Sequence, residues 1–110
     1  MYRLKYKIWL DKNGKAFGEG PYQLLDRTRK SGSLHIAAKQ MGMSYSQAHS
    51  LIKKLEERLG FPLLISRVGG SGGGGSSLTA EAETLMDRYR SFSDECKHAL
   101  EEIFARHFGD

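Results

Sequence analysis

One cysteine, Cys96, stands in 110 residues. It forbids an internal disulfide and fits a reducing compartment. The two prolines, Pro21 and Pro62, sit where the pattern passes from one element to the next. No apolar run approaches the ~20 residues of a membrane span. The opening MYRLKYKIWL alternates strictly and lacks the continuous apolar stretch and small-residue cleavage site of a signal peptide, so a cytoplasmic protein is expected. His35, His49, His98 and His107 have no paired spacing, and Cys96-x-His98 does not share a helical face; no metal is expected. The glycine-rich stretch lacks the GK[ST] ending of a nucleotide-binding loop. No nucleophile triad or carboxylate pair can be assembled, so neither an enzyme nor a cofactor is expected.

Net charge is +4, unevenly spread. Residues 1–79 hold 13 Lys/Arg against 5 Asp/Glu, a net of +8, while residues 80–110 hold 4 against 8, a net of −4. A basic module followed by an acidic helix suits a polyanion binder whose tail has another task.

The most informative stretch is Leu34–Leu59, LHIAAKQMGMSYSQAHSLIKKLEERL. Its pattern predicts a second helix over Leu34–Met41, a turn at Gly42, and a third helix opened by Ser44 and ended at Gly60. Ala38 is small where two helices cross, and Gly42 tolerates the positive φ that ends the earlier one. Ser44 with Gln47 makes an S-x-x-Q capping box. Ala37, Met41, Met43, Ala48 and Leu51 recur at helical spacing and point inward, followed by Ile52, Leu55 and Leu59. The outer face then carries Tyr45, Ser46, Gln47, His49, Ser50, Lys53 and Lys54. A helix packed this way has an outer face that can lie in the DNA major groove, although helical hairpins with a glycine turn also serve as plain core elements. Ser44, Tyr45, Ser46, Gln47, His49 and Ser50, near its start, are candidates for base or nearby phosphate contacts; Gln47 suits a two-pronged contact with adenine. Lys53 and Lys54, farther along, suit phosphate, although Lys53 can equally pair with Glu57 at i,i+4.

Around this core, Tyr2, Leu4, Tyr6, Ile8 and Leu10 alternate with Arg3, Lys5, Lys7 and Trp9, which predicts a half-buried strand over residues 2–10. Asn13-Gly14 predicts a tight hairpin pairing Leu10 with Phe17, with the return strand ending near Gly18. A first helix from Pro21 to Lys30 buries Tyr22, Leu24, Leu25 and Thr28, ends at Gly32, and hands over to Ser33 as the next cap. Beyond Gly60, Leu63–Arg67 reads as a short strand, GGSGGGGSS over residues 69–77 as a loop able to present backbone amides to an anion, and Leu78 as a return strand. Thr79 caps a long helix over Ala80–His107, with Glu81 and Glu83 placed favourably at its N-terminus. Its seam of Ala82, Leu85, Tyr89, Phe92, Cys96, Ala99 and Ile103 recurs at spacings of three and four. So long a stripe exceeds what a small domain covers, which points to burial against a second copy.

The stretch AAKQMGMSYSQAHSLIKKLEERLGFPLLISR resembles the N-terminal winged helix of LysR-type bacterial regulators, through Ala37, Ala38, Met41, Ser44, Ala48, Leu55, Glu56, Leu59, Gly60, Leu63 and Arg67. Gly69 to Thr79 is similar to the wing of ModE-type molybdate-responsive regulators. The resemblance implies a mostly α fold with small β (α+β): a winged helix-turn-helix with an N-terminal hairpin over residues 1–79, and a dimerisation helix over residues 80–110. It implies a prokaryotic, homodimeric regulator binding double-stranded DNA, with Arg67, Gly70, Ser71, Gly72 and Gly73 of the wing at the backbone or minor groove. It also implies a dimer seam of Leu85, Tyr89, Phe92, Cys96, Ala99 and Ile103. Two departures stand out: Ser71 replaces a frequent wing lysine, and the 110 residues hold no oxyanion-binding domain, so oxyanion sensing is not expected of them. The alternative is a winged helix serving as a protein-interaction module or adaptor.

Overall fold

A computed structural model describes residues 1–70 and 73–109. Its elements are β1 (Trp9–Asp11), β2 (Lys15–Gly18), α1 (Glu19–Ser31), α2 (Leu34–Gln40), α3 (Tyr45–Leu59), β3 (Leu64–Gly70), β4 (Gly73–Leu78) and α4 (Ala80–Phe108). The helical order followed by two antiparallel strands matches the winged arrangement read from the sequence.

The caps fall where the sequence put them. Ser33 Oγ accepts from the Ile36 N–H, Ser44 Oγ from the Gln47 N–H, and Thr79 Oγ1 from the Ala82 N–H. Each satisfies one of the donors a helix start leaves orphaned. Gly42 adopts φ 70° in the turn between α2 and α3, a conformation a Cβ penalises. Phe17, Leu24, Leu25, Ala37, Ala38, Ala48, Ile52, Leu55 and Leu63 form one core with Ala82, Met86 and Tyr89 of α4.

The N-terminus departs from expectation. Leu10 does pair with Phe17, with a bulge between Leu10 and Asp11, but the strand covers only Trp9–Asp11. Residues 2–8 lie outside any sheet. The reason is the partner's length: α1 begins at Glu19, two residues before Pro21, so β2 stops at Gly18 and can pair no farther back than Trp9. Trp9, expected on the solvent side, lies over Gly18, with Lys15 Nζ 4.9 Å from its ring.

Residues 2–8 instead follow α4. Tyr89 Oη donates to the Ile8 carbonyl (3.0 Å), and the Tyr2 ring meets Phe108 at 5.2 Å. At about 1.5 Å per residue, the 29 residues of α4 run far past the winged body, and the molecule measures 60 × 27 × 20 Å. Among the described residues, no helix is long and apolar enough to cross a membrane.

Candidate nucleic-acid interface

The outer face of α3 is uncovered. Ser44, Tyr45, Ser46, Gln47, His49, Ser50, Lys53 and Lys54 are all exposed, while Ala48, Ile52 and Leu55 anchor the opposite side. Ser46, Gln47, Ser50, Leu51 and Lys54 line a shallow groove of about 360 Å³ on that face. The acidic helix α4 does not screen it.

Two side chains there are already engaged. Gln47 Oε1 accepts from the Ser44 N–H at 2.9 Å, closing the capping box. A two-pronged amide contact with adenine uses both Oε1 and Nε2, so in this conformation Gln47 offers Nε2 freely and Oε1 only in shared form. Lys53 pairs with Glu56 at 3.5 Å rather than with Glu57. Glu56 also accepts the Leu63 N–H at 2.7 Å, which sets the chain's exit from α3 toward the wing. Lys54 forms no ion pair among the described residues.

The fold adds a residue that sequence reasoning missed. His35 of α2 stacks on Tyr45 at 5.5 Å, and the His49 ring lies 5.8 Å from the same tyrosine ring. Tyr45, 48% exposed, thus neighbours two imidazoles. His35 carried no local signal, because only the crossing of α2 and α3 brings it there.

The wing is longer than expected: β3 and β4 pair antiparallel from Leu64↔Leu78 to Gly70↔Gly73. Ser71 and Gly72, both candidate contacts, lie outside the described residues; Gly70 and Gly73 are the last described pair before them. The wing's base is tied on both sides. Thr79 N–H donates to the Leu63 carbonyl and Thr79 Oγ1 to the Pro62 carbonyl. Ser76 N–H donates to the Gly32 carbonyl at 2.9 Å, joining the wing to the α1–α2 turn. Arg67 is exposed, but its guanidinium packs at this junction: a Cβ at Gly75 would lie 2.7 Å from Arg67 Nη2 and 2.8 Å from the Gly32 carbonyl.

The β1–β2 hairpin is tied to the last turn of α3. Lys12 Nζ donates to the Leu59 carbonyl at 3.0 Å and Arg58 Nη1 to the Lys15 carbonyl at 2.6 Å. Lys12 therefore meets a C-terminal carbonyl of α3, where a cation is favoured.

The expected dimer seam divides. Tyr89, 2% exposed, belongs to the domain's own core, edge-on to Phe17 at 5.3 Å. This corrects its assignment to an intersubunit seam: the first turns of α4 close the winged body, together with Met86, which the stripe omitted. Burial of Tyr89 also holds its phenol above the ordinary tyrosine pKa. Leu85 is half-buried against the same core, and Cys96 is half-buried farther out. Phe92 (47%), Ala99 and Ile103 (45%) are exposed. Beside Tyr89, Arg90 holds Glu19 through bonds of 2.9 and 3.2 Å and lies over the Tyr22 ring. That guanidinium keeps the Glu19 carboxyl below its usual range, and the arginine's own pKa rises.

This geometry agrees with the comparisons to known proteins. The family model described as "Bacterial regulatory helix-turn-helix protein, lysR family" matches residues 22–83. The chain belongs to that family. It is 30% identical over 93 residues to the molybdenum transport protein ModE of Azotobacter vinelandii, covering 84% of this chain and 34% of that protein. It is 34% identical over 78 residues to the transcriptional regulator ModE of Haemophilus influenzae, covering 71% and 31%. The chain thus spans about a third of the length of these relatives. The fold resembles that of the CbnR DNA-binding domain, solved as a DNA complex, with a TM-score of 0.59, 20% identity, and coverage of 78% of this chain and 93% of that one.

Proposed function

We propose that this chain is a sequence-specific, double-stranded-DNA-binding transcription regulator acting as a homodimer. The observation that carries the reading is the uncovered polar face of α3, capped at Ser44 and presented by a buried apolar backing. Tyr45, Ser46, Gln47, His49 and Ser50 are the base-proximal candidates, with His35 placing Tyr45; Lys54 and the wing meet phosphate. Support comes from the lysR-family membership, from the printed role of the Haemophilus relative as a transcriptional regulator, and from a structural neighbour that was solved on DNA. The apolar residues left open on distal α4, Phe92, Ala99 and Ile103, support self-association. Two recognition helices on one face of a duplex sit ~34–36 Å apart, one helical turn.

A gel shift against random genomic fragments at two salt concentrations tests the DNA reading. Retarded bands that weaken steeply with salt are expected. No retardation at low salt would favour the adaptor alternative. Size-exclusion chromatography with light scattering tests the dimer, and a monomer at micromolar concentration would remove it.

A further inference from the structure

Residues 2–8 carry a pattern that a single chain leaves unsatisfied. Tyr2, Leu4, Tyr6 and Ile8 alternate with Arg3, Lys5 and Lys7, the period of a strand with one dry and one charged side. The segment lies along one flank of distal α4, beside Lys97, Glu101 and Phe104. That leaves Tyr2 72% and Tyr6 42% exposed. Among the described residues, no backbone–backbone hydrogen bond reaches residues 2–7. Nor do Arg3, Lys5 or Lys7 form an ion pair among them. An extended segment whose backbone has no sheet partner and whose cations form no ion pair, although Glu101 lies beside it, can supply half of an interface.

The other half stands on the opposite flank of the same helix. Glu95 and Glu102 follow Phe92 and Ala99 by three residues each, so helical spacing sets them beside the open apolar stripe. Both are exposed and form no ion pair among the described residues. Arg88 and Arg106 bound this acidic flank at its two ends. Along a helix Glu95 and Glu102 are ~10 Å apart; along a strand Arg3 and Lys7 are ~13 Å apart. Long cationic side chains bridge that difference.

We propose that residues 2–8 of one copy dock along the Glu95–Glu102 flank of α4 in a second copy, with Arg3, Lys5 and Lys7 meeting the two carboxylates. Phe92, Cys96, Ala99 and Ile103 close between the helices. By two-fold symmetry the contact occurs twice. This rests on the homodimer reading and names the surface that makes it.

Sedimentation equilibrium of the full chain tests it, with far-UV circular dichroism as the control for folding. The proteins are wild type, Glu95→Lys/Glu102→Lys, Lys5→Glu/Lys7→Glu, and all four changes together. Each double reversal should weaken dimerisation about tenfold, and the fourfold variant should recover to within about threefold of wild type. Wild-type dimerisation should weaken as salt rises. Reversals that leave a wild-type dimer unchanged, or a fourfold variant that stays weak, would overturn the docking while leaving a seam of Phe92 and Ile103 standing. A monomeric wild type would instead remove the homodimer reading itself.

Discussion

The winged body and the arm beyond it are built from the same kind of amphipathic pattern, yet only the body closes on itself. In the body, Phe17, Leu24, Leu55, Leu63 and Tyr89 are each 2% exposed or less. Three residues past Tyr89 along one apolar seam, Phe92 is 47% exposed, and Ile103 is 45%. Nothing in the local sequence separates Tyr89 from Phe92. The difference is tertiary: α4 touches the body for its first three turns and then outruns it. Periodicity therefore says that a face is apolar and leaves open what covers it.

The strongest way to break this comparison is to truncate one residue from each region. Tyr89→Ala removes ring packing on Phe17 and Tyr22 and the bond to the Ile8 carbonyl, and should cost ~3–5 kcal/mol in urea denaturation. Ile103→Ala should change the stability of the dilute monomer by less than ~0.5 kcal/mol and act on self-association instead. Equal, mild effects would mean that α4 is not part of the body's core.

A smaller effect sharpens the body's internal coupling. A Cβ at Gly75 would lie 2.8 Å from the Gly32 carbonyl, a backbone atom that cannot step aside cheaply. Gly75→Ala should cost ~1–3 kcal/mol and loosen the Ser76–Gly32 bond, readable as faster amide exchange at Ser76. Unchanged exchange there would show that the wing is not tied to the α1–α2 turn.

The smallest effect concerns the Arg90–Glu19 clasp between α4 and α1. Arg90 lowers the Glu19 pKa, so the folded value lies below the unfolded one. Its stabilisation is complete above the ordinary glutamate value of about 4.3 and fades as pH falls through the lowered value. The effect should be slight, because the pair is half exposed. In melting temperatures between pH ~3 and ~6, Glu19→Gln should flatten part of the acid limb. An identical limb in wild type and variant would mean the clasp is not felt.

What was legible in the sequence was what local chemistry decides. Ser33, Ser44 and Thr79 cap their helices and Gly42 turns the chain, because each needs only neighbours a few residues away. The Leu10–Phe17 pair was read correctly from Asn13-Gly14, but by a different route: Asp11 pairs with Lys15, and a bulge between Leu10 and Asp11 restores the register. What failed needed a partner the pattern does not name. Residues 2–8 have strand periodicity but no strand beside them, since β2 gives way to α1 at Glu19. The length of the wing was hidden because glycines carry no periodic signal, though the backbone pairs as far as Gly70 and Gly73. Within the site, Gln47 was assigned to both the cap and the base edge, and the geometry shows that one oxygen would serve both.

That double duty of Gln47 makes it the sharpest probe of the recognition face. Glutamate at the third helical position keeps a capping box but turns a carboxylate toward bases and phosphates. The decisive measurement is fluorescence anisotropy of wild type and Gln47→Glu on a duplex selected from a random pool, with thermal melts run alongside. The account predicts an unchanged melt with affinity lowered by at least tenfold, within the ~1–3 kcal/mol of a lost base contact. Equal affinity and equal sequence preference in the two proteins would contradict it.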